Sequence, residues 1–298
     1  MNVINGVFLL NKACNISSNN ALQQVKRLFG AQKAGHTGTL DPLATGLLPI
    51  CFGEATKFAQ YLIDADKTYL TTLKFGEATT TGDKEGEIIL TSNVIFTKKD
   101  LLHHSKKFIG QIQQTPPMFS ALKHKGIPLY QYARKGISIE RKSRVIEIFS
   151  IDIIHFNFPY ATLKVRCSKG TYIRTLAQDL AKSLGSFAYL DSLSRILTQN
   201  FNIQNAYNFD NIKNYSQSEL QSLILPTDTL VTQFDKINLN IQQEKQIKNG
   251  LLVQYPINYE IMTNLSLYSI QNEFIGLGVY IPQLKSIKAL RLMNTSHR

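Results

Sequence analysis

The chain has 298 residues, of which 43% are hydrophobic and 18% charged, enough apolar material for one large domain or two modest ones and too much for a disordered tail. Its formal net charge of +12 points to a polyanionic partner. Three scattered cysteines (Cys14, Cys51, Cys167) without a CxxC argue against a disulfide framework or zinc ribbon, and no apolar run reaches the roughly 18 residues of a membrane span, so a cytoplasmic protein without an export signal is expected.

GVFLL (6–10) predicts a short buried strand. A helix follows, capped by Ser17 or Ser18, with Ala21, Leu22, Val25 and Phe29 at helical spacing and Gly30 as its stop. The glycine-rich run GHTGTLDPLATGLLPICFG (35–53) reads as a loop leading into a short helix at Asp41-Pro42, since aspartate caps free N–H groups and proline suits the first helical position. From Lys67, TYLTTLKFG alternates like a strand and GDKEG reads as a turn. Arg144–Phe158 and Ala161–Ser168 form two strands joined through Pro159. TYIRTLAQDLAKSLG is a helix ending at Gly185, with Ile173, Leu176, Ala177, Leu180 and Leu184 on one face. A polar, Asn/Gln-rich region over 202–240 marks a domain boundary, and FIGLGVYI (274–281) is the clearest strand after it, its glycines suggesting a bend or a close backbone approach. Strands and helices mix without a βαβ rhythm, which predicts an α+β fold with a mixed, largely antiparallel sheet.

The positive charge is concentrated. Between Phe119 and Arg144, seven cations (Lys123, Lys125, Arg134, Lys135, Arg141, Lys142, Arg144) face a single acid, Glu140, with Phe119, His124, Tyr130 and Tyr132 among them. Lys and Arg hold phosphates while aromatic faces stack on bases, so this mixture suits RNA; a solvated basic hairpin is the plain alternative. HExxH, GxSxG and GxxxxGK[ST] are absent, which removes zinc proteolysis, elbow-type serine hydrolysis and a P-loop. His103 and His104 are adjacent, so on a helix they diverge by about 100° and make poor joint metal ligands. Asp41 is the sole acid of its glycine-rich run. It is either a helix cap or a catalytic carboxylate, which would need a cation such as Arg174 to hold it ionised.

GHTGTLDPLATGLLPICFGEATKF (35–58) resembles the signature of the bacterial tRNA pseudouridine-55 synthases, the TruB family. The resemblance continues through KTYLTTLKFGEATTTGDKEGEI, QTPPMFSALKHKGIPLYQYARKGI, RCSKGTYIRTLAQDLAKSLG and, more weakly, YLDSLSR, in the family's order. NGLLV and NEFIGLGVYI look like a small PUA RNA-binding domain. The resemblance implies a pseudouridine-synthase fold over 1–237, with 119–144 as an RNA-clamping insertion, and a β-rich PUA-like domain over 238–298. It implies that uracil is detached from ribose C1′, turned and rejoined through C5, with no cofactor and no metal. Asp41 matches the nucleophile, whose first target is C1′ or C6. Tyr69 matches the tyrosine that stacks on the flipped base, and Arg174 the arginine paired with the aspartate. Tyr172 and Leu193 match pocket-lining positions, His36 the histidine that inserts into the RNA, and Lys12 the lysine after the first strand. Lys123, Lys125 and Arg134 fall in the clamp. The implied partner is the T-stem loop of tRNA, bound by a monomer.

Three departures stand out: NKACNISS has Ala13 and Asn15 where the family has Pro and Gly, a usual arginine pair is reduced to Ser194-Arg195, and the C-terminal segment lacks many typical residues. A guide-dependent enzyme acting on ribosomal RNA and a non-catalytic tRNA-folding chaperone are the competing readings.

Overall fold

The computed structural model describes residues 4–294; the first three and last four residues of the two expected domains lie outside it. The strands Gly6–Lys12 and Thr45–Phe52 pair antiparallel and set the pattern of the larger sheet. Side chains alternate across a strand with period two. Phe8 and Leu10, with Leu48, Ile50 and Phe52, therefore enter one core, while Val7, Leu9, Leu47 and Cys51 enter a second core on the opposite face. With both faces covered, the pattern reads as continuous apolar runs.

The sheet has ten strands. Across its main path the order is Tyr207–Asn208, Gly6–Lys12, Thr45–Phe52, Ala188–Thr198, Lys67–Phe75, Tyr160–Cys167, Arg144–Asn157 and Gly110–Gln114. Two pairs, Gly6–Lys12 with Tyr207–Asn208 and Ala188–Thr198 with Thr45–Phe52, are parallel; the others are antiparallel. The expected mixed, largely antiparallel α+β architecture is what forms.

Helix Ser18–Leu28 begins as its sequence predicts. The Ser17 side chain accepts from the Asn20 N–H at 3.2 Å, and Gly30 leaves the helix at φ +63°. Phe29 lies with its ring centroid 5.0 Å from those of both Phe8 and Phe52. A fully buried side chain of this kind contributes roughly 1.5–3 kcal/mol, so the apolar stripe rather than intrinsic propensity holds the helix on the sheet. Helix Ile173–Ser183 uses the same logic, burying Ile173, Leu176, Ala177 and Leu180, and Arg174 is buried with them.

The short helix expected at Asp41-Pro42 does not form. Asp41 sits in a tight turn, closed by the Ala44 N–H donating to the Asp41 carbonyl at 3.1 Å, and the chain enters the Thr45–Phe52 strand directly. The apolar run that follows gains more by filling a central strand than a one-turn helix could return. Gly46, at φ +103°, makes the entry possible: a Cβ there would lie 2.4 Å from the Arg195 carbonyl oxygen.

A second sheet of five strands runs from Asp235 to Leu292. Gly276 and Gly278 of its Phe274–Ile281 strand are close-approach positions: a Cβ on Gly276 would lie 2.3 Å from the Arg291 carbonyl oxygen. Leu277 and Phe274 reach into the second core of the larger sheet, where Phe274 meets Phe58 at 5.4 Å. Among the described residues no helix is long and apolar enough to cross a membrane.

Candidate active site

The turn that carries Asp41 is fastened on both sides. Ser18 Oγ accepts from the Leu40 N–H at 2.8 Å and donates to the Leu40 carbonyl at 2.9 Å. Pro42 offers its carbonyl to the Asn15 N–H at 2.9 Å and to Lys12 Nζ at 3.2 Å. Lys12 is buried and also donates to the carbonyls of Ala13 and Ile16, at 2.8 and 2.7 Å. Burial pushes its ammonium down to about 8. Asn15 holds φ +62°, the left-handed conformation a glycine adopts freely and asparagine tolerates better than most residues. The Gly-to-Asn departure is therefore conservative. Asn15→Val should cost about 1–2 kcal/mol in a denaturant melt, whereas Asn15→Gly should leave stability nearly unchanged.

Arg174 reaches the turn from its helix. Its Nε lies 2.9 Å from Asp41 Oδ2, with 5% of the arginine side chain and 34% of the aspartate side chain exposed. The Nε makes no well-aligned hydrogen bond, so the attraction is chiefly electrostatic. The rest of the guanidinium is fixed by backbone: Nη1 donates to the Thr81 carbonyl at 3.0 Å and Nη2 to the Phe119 carbonyl at 2.7 Å. Asp41 is thus held by the turn and by Arg174 while about a third of its side chain stays open to solvent. Burial pushes its carboxyl above the ordinary value, the Arg174 charge pulls back, and Asp83 adds to the rise. Because no helix starts at Asp41, no helix end faces the carboxylate, and the cation beside it is the Arg174 guanidinium.

Asp83 belongs to GDKEG, whose composition reads as ordinary turn chemistry. It is buried, and its Oδ1 accepts from Thr81 Oγ1 at 2.5 Å and from the Glu85 N–H at 3.2 Å. The run around Asp41 is short of acids, but the fold brings this second carboxylate near it.

Tyr69 is on the central strand, opposite Val165 on one side and Arg195 on the other. Burial pushes its phenol above the usual range, and Asp41 contributes in the same direction. The Arg195 side chain hydrogen-bonds the phenol and opposes the rise. Arg195 is 1% exposed; Nε donates to the Leu47 carbonyl at 2.8 Å and Nη2 to the Gly38 carbonyl at 3.1 Å. It therefore underpins both ends of the glycine-rich turn and the tyrosine. Its signal in the sequence is a cation two residues after the apolar Leu193 on the same strand, a position that shares the Leu193 face.

His36 ends the Ala34–His36 strand, at the start of the same turn. Burial and the Arg195 charge push its imidazole down, so it is neutral at pH 7, and its buried Nδ1 has no partner among the described residues. Leu193 is buried opposite Thr71, on the strand that also carries Arg195. It lines a recess of about 350 Å³ with Cys14, Leu43, Leu70 and Thr72. Tyr172 immediately precedes the Arg174 helix. Lys123, Lys125 and Arg134 are exposed on the insertion, built from a Lys123–His124/Ile127–Pro128 hairpin and the helix Leu129–Ala133. They lie outside the Asp41 cluster; only the root of the insertion, through the Phe119 carbonyl, touches it. His103 and His104 are on the separate helix Lys98–Ser105, with His104 Nδ1 3.0 Å from Ser183 Oγ. A separate recess of about 1170 Å³ is lined by Asp66, Thr68, Asp152, Arg166, Gln199 and neighbours, and none of the sequence-predicted site residues lines it.

The family described as TruB family pseudouridylate synthase (N terminal domain) matches residues 26–173. A curated relative from Neisseria meningitidis serogroup B, named tRNA pseudouridine synthase B, is 51% identical over 293 residues, covering 98% of this chain and 95% of the relative. A relative of the same name from Haemophilus influenzae is 47% identical over 278 residues, covering 92% and 89%. Among solved structures, an H/ACA RNP bound to a substrate RNA containing 2′-deoxyuridine superposes with a TM-score of 0.75 at 18% identity, over 98% of this chain and 86% of that one. A Cbf5-Nop10-Gar1 complex gives 0.73 at 21%, over 97% and 83%. These structures share the fold. The identity to the bacterial relatives, sustained over nearly their full length, carries the assignment: the chain belongs to the TruB family of pseudouridylate synthases.

Proposed function

We propose that the protein isomerises uridine 55 in the T loop of tRNA to pseudouridine, with Asp41 as nucleophile. The observation that carries this is the Asp41–Arg174 pair, whose aspartate keeps 34% of its side chain exposed and lies near enough to Tyr69 for its charge to act on the phenol. A uridine in a folded loop must leave its stack before its glycosidic bond is reached, at a cost of a few kcal/mol. Neutral His36 is suited to fill the space the base leaves, and Tyr69, Tyr172 and Leu193 supply aromatic and apolar surface for the flipped uracil. The Asp41 carboxylate adds to ribose C1′ or to uracil C6, the C1′–N1 bond breaks, and the turned ring is rejoined to C1′ through C5. The bond to Asp41 breaks to return the free carboxylate, and the net proton change is loss from C5 and gain at N1. Arg174 keeps the carboxylate charged and aimed until it attacks. The Tyr69 phenol is protonated at neutral pH, with Arg195 placed to stabilise the phenolate if its proton is transferred.

The expected boundary at 237/238 falls inside the strand Asp235–Asn238 of the second sheet, so in this reading the catalytic domain ends just before Asp235 and the PUA-like RNA-binding domain begins with that strand. Action as a monomer in the cytoplasm belongs to the same reading. Incubating unmodified tRNA with the protein and mapping pseudouridine chemically tests the reading. Absence of conversion at the T-loop uridine overturns it, and accelerated tRNA folding without conversion would leave a chaperone.

The exposed cations of the insertion are assigned to phosphate. Replacing Lys123, Lys125 and Arg134 together by Ala should weaken tRNA binding and flatten its salt dependence, by about 0.7–0.9 in the slope of log K against log salt for each phosphate that is no longer neutralised. Filter binding between about 50 and 200 mM salt, where counterion release dominates the affinity, checks this; an unchanged slope would make the span an ordinary solvated hairpin.

A further inference from the structure

Two residues at the root of the insertion grip the segment that carries Arg174. Gln114 ends the Gly110–Gln114 strand, Arg144 begins the Arg144–Asn157 strand, and the two are register partners; the chain between them leaves the sheet as the insertion. Gln114 is 1% exposed. Its Nε2 donates to the Tyr172 carbonyl at 3.1 Å, and its Oε1 accepts from the Tyr172 N–H at 2.8 Å. A side-chain amide thus pairs with both polar groups of one residue's backbone, as a neighbouring strand would. Arg144 approaches the same residue from the other side. Its guanidinium carbon lies 5.1 Å from the centroid of the Tyr172 ring, and its Nη2 donates to the Gly170 carbonyl. Gly170 is at φ +79°, and a Cβ there would lie 3.2 Å from that guanidinium carbon, so this approach favours glycine. On the far side of Tyr172, Arg174 donates to the Phe119 carbonyl at the start of the insertion.

The segment Gly170–Arg174 is therefore tied to the insertion at three places: by Arg144, by Gln114 and through Phe119. We propose that Gln114 and Arg144 are positioning residues: a latch that couples the seating of the insertion on RNA to the placement of Tyr172 against the uracil and of Arg174 against Asp41. A shift of the insertion that moves either strand end moves Tyr172 with it, because a buried amide bonded at both ends resists separation. The latch acts on the chemical step. RNA affinity comes from the exposed cations farther out. This inference rests on the reaction proposed above.

The test is single-turnover conversion of unmodified tRNA by the full-length chain, with the dissociation constant measured alongside. The variants are Gln114→Ala, Arg144→Ala, Arg144→Lys and the Gln114→Ala/Arg144→Ala double. Gln114→Ala and Arg144→Ala should each slow conversion by about 10–100-fold while affinity stays within about threefold, the signature of misplacement rather than weakened binding. Arg144→Lys should fail to rescue, because an ammonium keeps the charge but neither stacks as a plane on Tyr172 nor forks to Gly170. The double variant should lose less than the product of the single losses, since both act through Tyr172. A wild-type rate in Arg144→Lys, losses that multiply, or weakened affinity with unchanged rate would each overturn the latch. If Gln114→Ala does not fold, the two Arg144 variants, at a half-exposed position, carry the rate test. Wild type that fails to convert in the same assay indicts the proposed reaction instead.

Discussion

Asp41→Asn should reduce conversion of the T-loop uridine by on the order of 10⁴-fold or more, while tRNA affinity stays within about threefold of wild type. Asparagine keeps the size of aspartate and an oxygen facing Arg174 Nε, so the turn held by Ser18, Lys12 and Asn15 should survive. What it loses is the anion that attacks. The measurement is single-turnover conversion read by chemical mapping of pseudouridine, with filter binding as the control. Conversion near the wild-type rate would reduce Asp41 to a turn residue. A variant that still helps tRNA fold would show that RNA remodelling is separable from isomerisation, in line with the proposed division of labour between the clamp with His36 and the nucleophile.

Much of the site is legible in the chain because its parts carry distinct local signals. Asp41 stands out as the sole acid in a glycine-rich run, Arg174 as a cation beside the apolar stripe of a strong helix, and Tyr69 as part of an alternating strand. Their convergence is not local information. Arg174 and Asp41 are brought together by a sheet in which the strands Gly6–Lys12, Thr45–Phe52 and Ala188–Thr198, distant in the chain, lie side by side. The helix expected at Asp41-Pro42 shows the limit most clearly. Its capping signal is sound, but Leu47, Leu48, Ile50, Cys51 and Phe52 are all fully buried, and one turn of helix cannot compete with that. Asp83 and Arg195 stay hidden for opposite reasons. Asp83 sits in a composition that predicts an exposed turn, and Arg195 lies on a strand where a charge usually faces water. Both are buried because backbone carbonyls and amides, which composition does not report, satisfy them.

Arg174→Met tests the electrostatics of the pair most sharply. Methionine retains length and apolar volume and removes the charge. Three consequences have definite signs. In the proposed reaction Asp41 attacks as the anion, so activity should fall as pH drops through its pKa. Burial and Asp83 already hold that pKa above the ordinary value and Arg174 opposes them, so the variant's carboxyl rises further and the acid limb of the pH–rate profile moves to higher pH. Activity at pH 7 should also fall, by about 10²–10³-fold, because a preorganised charge at the reacting group is lost. Stability should also drop at neutral pH, but by less than the roughly 3–5 kcal/mol of a fully buried pair, because the Asp41 anion left without its cation is a third exposed and partly screened by solvent. The thermal deficit should shrink as the solution is acidified. A carboxyl whose folded pKa lies above its unfolded value favours the folded state below the unfolded pKa and loses that advantage as pH rises through the folded pKa. Melting temperatures taken from about pH 4, near the ordinary aspartate pKa, upward through neutrality, together with pH–rate profiles of both proteins, decide the matter. An acid limb that stays where it is in wild type would mean that Arg174 positions Asp41 without setting its charge. Arg174→Lys separates the two roles: the ammonium should restore much of the acid limb, but it cannot reach Asp41, Thr81 and Phe119 at once as the guanidinium does, so the rate should remain low.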